Sequence, residues 1–187
     1  MNHDSDHTMQ DLPLLNLHER HRALTEAIAG SYEEAAAVCL HRHHQPPIEV
    51  TLSDNGSPLQ VAVTWAPPDQ RTRDAWANAI DATEAGAYAC VIAGVEALRD
   101  LVAVRRAETT TGADYYIAPV NAGIDDLEDC YRLEISGVDH GDHREVLKRL
   151  NLKVRQARDG NSSLPALAGV VGFAARLLMI QDVKESS

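Results

Sequence analysis

Apolar residues recur at two different spacings in the first third of the chain. In residues 14–40 they return at every third or fourth position, which is the spacing of an amphipathic helix, and Gly30 marks a break between two helices. Residues 48–52 and 59–65 are short runs rich in strand-forming residues. Because Asp54-Asn55-Gly56 between them favours a tight turn, we predict a β-hairpin.

In the rest of the chain, segments with the helical spacing alternate with short strand-like runs in a definite order. We predict a helix at 73–98, strands at 101–106, 114–120 and 130–138, a helix at 143–158, and a buried strand at 168–180. Three meandering strands, a helical crossover and a final strand form a mixed sheet with helices against its faces. The predicted fold class is therefore α/β, or more strictly α+β with a mixed sheet.

Length and composition favour a single domain. A chain of 187 residues is long enough for one sizeable core and too short for two ordinary ones. We expect a disordered polar tail at residues 1–11, an addition of helices and a hairpin at 12–72, and the sheet core at 73–187, all in one compact domain. Since 44% of the residues are apolar but only 4% are aromatic, the core must be mainly aliphatic.

The charge of the chain limits the class of partner. A formal net charge of −11 argues against a protein that coats nucleic acid non-specifically, because phosphate attraction needs a basic surface. The predicted helix 143–158 nevertheless concentrates basic residues: Arg144, Lys148, Arg149, Lys153, Arg155 and Arg158. This helix is either a local surface for nucleic acid or an ordinary solvated face. A protein partner or a homodimer is also compatible with the sequence.

The sequence favours a cytoplasmic protein that does not enter a membrane. Its polar N-terminus lacks the basic and apolar parts of a signal peptide, and no apolar run approaches the roughly 20 residues that span a bilayer. Cys39, Cys90 and Cys130 are an odd, widely spaced set, which is typical of buried reduced thiols rather than of disulfides or a zinc ribbon.

Three acidic residues stand out in the predicted core. Asp114 follows Gly112 at the start of the second strand, and Glu134 lies on the third strand. Glu84 falls within the apolar stripe of the helix 73–98, where a carboxylate must be paired, capped or bound to a metal. Carboxylates on neighbouring strands suit Mg²⁺, which prefers oxygen ligands and keeps positions for water and phosphate.

The order of elements together with these acids resembles the PD-(D/E)XK nuclease superfamily, which has the restriction-endonuclease-like αβββαβ core. The resemblance covers about residues 73–183. It implies that Asp114 is the metal-binding Asp, that Glu134 is the acid of the (D/E)XK half-motif, and that Glu84 is the helical acid of some members. Ser136 stands where the family places its lysine. The resemblance implies that Lys153 on the following helix supplies the cation, with Gln156 one turn further on.

The function implied by this resemblance is Mg²⁺- or Mn²⁺-dependent cleavage of phosphodiester bonds in DNA or RNA, in defence or repair. Asp114, Glu134 and Glu84 would hold the metal, which activates water and polarises the phosphate. Lys153 would stabilise charge that develops on the phosphate oxygens. The alternative is a catalytically inert domain of the same fold that acts as a protein-interaction module.

Each acid also has a structural interpretation. Asp114 can organise a turn, and Glu134 can pair with Arg132 or Arg155. Glu84 can be the third residue of a capping box that begins at Asp81.

Two histidine groups offer zinc ligands, but neither is completed by a Cys or by another convincing ligand. The first group is His41, His43 and His44, and the second is His140 and His143. We therefore interpret these residues as loop histidines.

Overall fold

A computed structural model of the protein describes residues 9–108, 111–122, 127, 129–160 and 162–184. Its elements in chain order are β1 (Gln10–Asp11), α1 (Leu17–Arg20), α2 (Glu26–His43), β2 (Ile48–Asp54), β3 (Ser57–Val63), α3 (Gln70–Ala75), α4 (Ala79–Arg99), β4 (Leu101–Arg106), β5 (Tyr115–Pro119), β6 (Tyr131–Val138), α5 (His143–Asp159), β7 (Ala166–Gly172) and β8 (Leu177–Val183). Among these described helices, none has the length and apolar character needed to cross a membrane.

The described strands form one mixed sheet in the order β1-β3-β2-β8-β7-β6-β5-β4. Strands β4, β5 and β6 are an antiparallel meander, and α5 leads from β6 to β7, which is parallel to β6. The predicted mixed α/β fold is thus confirmed. The predicted hairpin is also confirmed as β2–β3, and it extends the same sheet because β2 pairs in parallel with β8.

Several predicted boundaries before β4 are wrong. Gly30 lies inside α2, and the break between helices comes earlier, between α1 and α2. The predicted helix 73–98 is two helices, because the side chain of Asn78 accepts two backbone N–H groups and starts α4. Of the predicted tail, Gln10–Asp11 pair with β3 as strand β1, and residues 1–8 lie outside the described residues.

The apolar run 168–180 is two strands and not one. Strands β7 and β8 are antiparallel neighbours joined by a turn at residues 173–176. The backbone N–H of the fully buried Phe173 donates to the carbonyl of Val138 at 2.9 Å, and Arg176 takes a left-handed conformation with φ of 51°. Since residues 173–176 contain no Gly, Pro, Asn or Asp, the hydrophobic pattern could not locate this turn.

Different helices cover the two faces of the sheet. Helix α4 packs on one face with α2 against it, and α5 packs on the other face over β6, β7 and β8. Side chains of a strand alternate between faces, so Leu133 and Ile135 of β6 enter the core under α4. Glu134 between them faces α5.

The close approach of α2 and α4 generates a stability prediction. A Cβ at Gly86 would lie 3.0 Å from backbone atoms of Ala36, whereas a Cβ at Gly30 of α2 would meet nothing within 4 Å. Gly86→Ala should therefore strain the helix pair by about 1–3 kcal/mol. Gly30→Ala should stabilise the protein by up to about 1 kcal/mol through helix propensity. Urea unfolding of both variants tests this, and equal effects would contradict the observed packing.

Candidate active site between α4, β6 and α5

A cleft of about 780 Å³ opens between the start of α4, the end of β6 and the first half of α5. Its charged lining residues are Glu84, Asp114, Asp139, Glu145, Lys148 and Arg149. At Gly137 of β6 a Cβ would lie 2.8 Å from the backbone oxygen of Thr83, so a glycine is needed for the strand to approach α4 here. The cleft thus presents carboxylates and cations beside the end of β6.

Asp114 lines this cleft just before β5 begins. One of its oxygens, Oδ1, accepts the hydroxyl of Tyr88 at 2.9 Å, and Oδ2 accepts the backbone N–H of Ile135 at 2.7 Å. Arg106 lies 3.7 Å from Oδ1. These contacts fix the carboxylate relative to α4, β4 and β6. Each oxygen keeps a second lone pair, so Asp114 retains the capacity to bind a cation.

An arginine and two further tyrosines hold Tyr88 in place. Arg106 donates to the Tyr88 hydroxyl at 3.0 Å, and its guanidinium carbon lies 4.7 Å from the ring centroids of Tyr88 and Tyr115. Tyr32 stacks on Tyr88, and its hydroxyl lies 2.9 Å from that of Tyr115. Burial raises the pKa of Tyr88 and of Tyr115, so both hydroxyls stay protonated at neutral pH. Tyr88 is therefore a fixed donor to Asp114.

Glu134 and Lys153 form an ion pair between the sheet and α5. The Lys153 ammonium donates to Oε2 of Glu134 at 2.8 Å, and the two side chains are only 21% and 11% exposed, respectively. The rotation of α5 is set by its buried face, which packs on β7 and β8. That packing places Lys153 beside Glu134. Neither residue is among those that line the cleft itself.

The pKa of Glu134 lies above its usual 4.5. Burial is the main cause, the ion pair with Lys153 opposes it, and the negative charge of Asp114 raises the pKa further. Asp114 and Glu134 are neighbours because Tyr115 pairs with Leu133 across β5 and β6. The structure therefore brings together two of the predicted acids and the predicted lysine.

Glu84 does not lie in the buried stripe of α4 where we expected it. It is exposed and lines the cleft, because the buried positions of these turns, Ala82 and Gly86, are each two residues away and so lie on the other side of the helix. The capping-box interpretation is also wrong, since the cap of α4 is Asn78 and not Asp81.

The three acids do not form one compact set of metal ligands. Within the described ranges, a group of three metal-ligating side chains lies within 4.8 Å only at His43, Asp139 and His140. Glu84, Asp114 and Glu134 are therefore further apart than this. Gln156 is exposed on α5, one turn beyond Lys153.

Sequence analysis missed the role of Arg132 and of the network around Tyr88. Glu134 pairs with Lys153 rather than with Arg132 or Arg155. The buried guanidinium of Arg132 instead donates to three backbone carbonyls, those of Thr111, Ala157 and Leu164, at 2.9–3.1 Å. Local sequence carries no signal for these contacts, because they join segments that are 21 to 32 residues apart.

The burial of the Glu134–Lys153 pair generates a second prediction. Lys153→Met leaves a buried carboxylate without its cation and should cost about 3–5 kcal/mol of stability at neutral pH. Adding Glu134→Gln should recover part of this loss, because it removes the unpaired charge. Chemical denaturation of the two single variants and the double variant measures the coupling. A loss below about 1 kcal/mol for Lys153→Met would mean that the pair behaves like an exposed ion pair.

Comparison with known proteins finds no match for this chain among protein-family models, curated proteins or solved structures. The features that bear on function are therefore the topology of the sheet and the contacts of Asp114, Glu134 and Lys153.

Proposed function

We propose that this protein is a metal-dependent nuclease of the PD-(D/E)XK type that cleaves phosphodiester bonds in DNA or RNA. The observation that carries the proposal is the 2.8 Å contact between Lys153 on α5 and Glu134 on β6. Asp114, just before the neighbouring strand β5, lies beside this pair. An acid, a second acid and a lysine are the groups that this chemistry requires. Here the lysine comes from the helix, where Ser136 stands in its usual place.

The connectivity of the core supports the same proposal. The order α4-β4-β5-β6-α5-β7, with an antiparallel meander and a parallel β6–β7 pair, is compatible with the αβββαβ arrangement that the resemblance implies. In this arrangement Asp114 lies at the start of the second core strand and Glu134 in the middle of the third. Fold alone does not establish function, so the proposal depends on the side chains at this position.

Asp114 and Glu134 would hold Mg²⁺ or Mn²⁺, with Glu84 at the cleft as a further acid. Two carboxylates with water and substrate phosphate are a usual ligand set for Mg²⁺. When bound, the metal would polarise the scissile phosphate and lower the pKa of a bound water. Tyr88 and Ile135 orient Asp114 toward this task through their hydrogen bonds.

Lys153 has two roles in the proposed reaction. In the free protein it neutralises the buried carboxylate of Glu134. With Glu134 holding a metal instead, Lys153 would be free to stabilise the negative charge that develops on the phosphate oxygens. Gln156, one helical turn away and exposed, would contact the same substrate backbone.

Nucleic acid would approach across the exposed basic residues of α5. Lys148 and Arg149 line the cleft, and Arg144, Arg155 and Arg158 are exposed along the same helix. A basic surface of this kind would attract phosphate locally even though the net charge of the chain is −11. We further propose a cytoplasmic location, since Cys39 and Cys90 are buried free thiols as in a reducing compartment, and, from the resemblance, a role in defence or repair.

A second candidate function is an inert nuclease-fold domain that binds a protein partner or a second copy of itself. Two observations favour it: the acids Glu84, Asp114 and Glu134 do not converge within 4.8 Å, and Glu134 is already neutralised by Lys153. In that case the ion pair is only structural. The two experiments below separate the candidates.

Metal binding should raise the melting temperature. Mg²⁺ or Mn²⁺ bound only by the folded state stabilises it by about 2.7 kcal/mol at 100 times Kd. Asp114→Asn combined with Glu134→Gln should abolish the effect. In the wild type it should also fade as the pH falls through the pKa of Glu134, which is raised above 4.5, because the protonated acid does not bind metal. A full response in the double variant would place the ion elsewhere.

Nuclease activity should depend on Lys153. Lys153→Ala should lower the cleavage rate on the order of 10²–10³-fold with little change in substrate binding, because the ammonium acts on the transition state. The assay uses single- and double-stranded DNA and RNA with Mg²⁺ or Mn²⁺, at a temperature where circular dichroism shows each variant folded.

Lys184→Ala is the matched control, since it removes the same charge from an exposed position outside the site. It should cleave at the wild-type rate. If the wild type cleaves no faster than Glu134→Gln, the interaction module is the better account. If Lys153→Ala cleaves as fast as the wild type, the lysine is not catalytic.

A further inference from the structure

We propose a second metal site, for Zn²⁺ or a similar divalent transition ion, formed by His43, Asp139 and His140. Nε2 of His43 lies 2.8 Å from Oδ1 of Asp139, and Nδ1 of His140 lies 3.2 Å from Oδ2 of the same carboxylate. One ligand atom from each of the three residues lies within 4.8 Å of the others. The two imidazole rings meet edge to face at 4.6 Å between centroids. Both histidines thus converge on one carboxylate.

The three ligands come from two segments that are distant in the sequence. His43 is the last residue of α2, while Asp139 and His140 follow the last residue of β6, about a hundred positions later. Neither histidine group forms this site by itself. The packing of α2 against α4 brings one histidine from each group to Asp139, which was not among the ligands predicted from the sequence.

The spacing suits tetrahedral coordination. With Zn–N and Zn–O distances of about 2.0–2.1 Å, neighbouring ligand atoms of a tetrahedral site lie roughly 3.3 Å apart. The observed separations of 2.8 Å and 3.2 Å run to the two different oxygens of Asp139, so the ion would either bind both oxygens or draw one imidazole toward the oxygen that it shares. His43 and Asp139 are largely buried, and His140 is 75% exposed, so the site can be reached from solvent.

The chemistry of the ligands selects the kind of ion. Two imidazole nitrogens favour Zn²⁺, Co²⁺ or Ni²⁺ over Mg²⁺, which prefers oxygen. Arg42 also contacts Oδ2 of Asp139 and balances its charge, so an entering ion competes with this guanidinium for the carboxylate. Three protein ligands leave one position for water, and Asp139 and His140 belong to the lining of the cleft.

This ion would tie the end of α2 to the turn that precedes α5. The turn is short, since Asp142 already caps α5 by accepting the backbone N–H groups of Arg144 and Glu145. Fixing Asp139 and His140 would therefore also fix this end of the cleft. The inference does not depend on nuclease activity, because its ligands are different residues and prefer a different ion.

The test is binding of Zn²⁺ and Co²⁺ to the full chain after chelator treatment and dialysis. Calorimetry should show one Zn²⁺ per chain, and Co²⁺ should give the intense visible absorption of a tetrahedral site. His140→Gln and His43→Gln should each weaken Zn²⁺ binding by more than the roughly 10–100-fold that loss of an outer-shell partner costs. His143→Gln, an exposed histidine outside the group, is the matched control and should bind like the wild type.

His140 is mostly exposed, so its substitution leaves the fold intact and keeps the test decisive even if His43→Gln unfolds. Absence of Zn²⁺ binding to the wild type would overturn the proposal. Equal Zn²⁺ affinity in the wild type and in His140→Gln would also overturn it. The Asp114→Asn, Glu134→Gln double variant should keep its Zn²⁺ affinity, and a loss there would show that Zn²⁺ occupies the acidic site instead.

Discussion

The ion pair between Glu134 and Lys153 is the contact on which the arrangement of the site depends. A carboxylate on the inner side of β6 is buried under α5, and an unpaired charge at that position would be costly. The position of Lys153 on α5 removes this cost only if the helix lies at one rotation and one height over the sheet. The packing of the α5 buried face and the ion pair therefore fix the same geometry.

On the other face, hydrogen bonds and ring contacts set the position of Asp114. Arg106 orients Tyr88, Tyr88 donates to Asp114, and the backbone of Ile135 holds the second carboxylate oxygen. Asp114, just before β5, and Glu134, in the middle of β6, are thus neighbours held by different helices: Asp114 by Tyr88 of α4, and Glu134 by Lys153 of α5. Burial and, to a smaller extent, the negative charge of Asp114 raise the pKa of Glu134, as expected for two neighbouring carboxylates. A divalent ion between them would relieve that repulsion, which is why the proposed function places it there.

The order of the core elements could be predicted because their hydrophobic periods are clear and their turns carry Gly, Asn or Asp. The turn at residues 173–176 could not, since its residues are not typical of turns and a hydrogen bond to Val138 holds it. Glu84 was misplaced because the predicted stripe ran through Ile80, which is exposed, whereas the buried positions of these turns are Ala82 and Gly86. Lys153 was found through a family resemblance. Tyr88 and Arg132 act through contacts set by tertiary structure, and no local pattern marks them.

Anomalous diffraction from crystals soaked in Mn²⁺ tests the central claim most directly, because it locates the ion without relying on turnover. The account predicts one strong anomalous peak at coordination distance from a carboxylate oxygen of Asp114 and one of Glu134, with Lys153 displaced from its 2.8 Å contact. An intact Glu134–Lys153 pair with no peak beside Asp114 would contradict it.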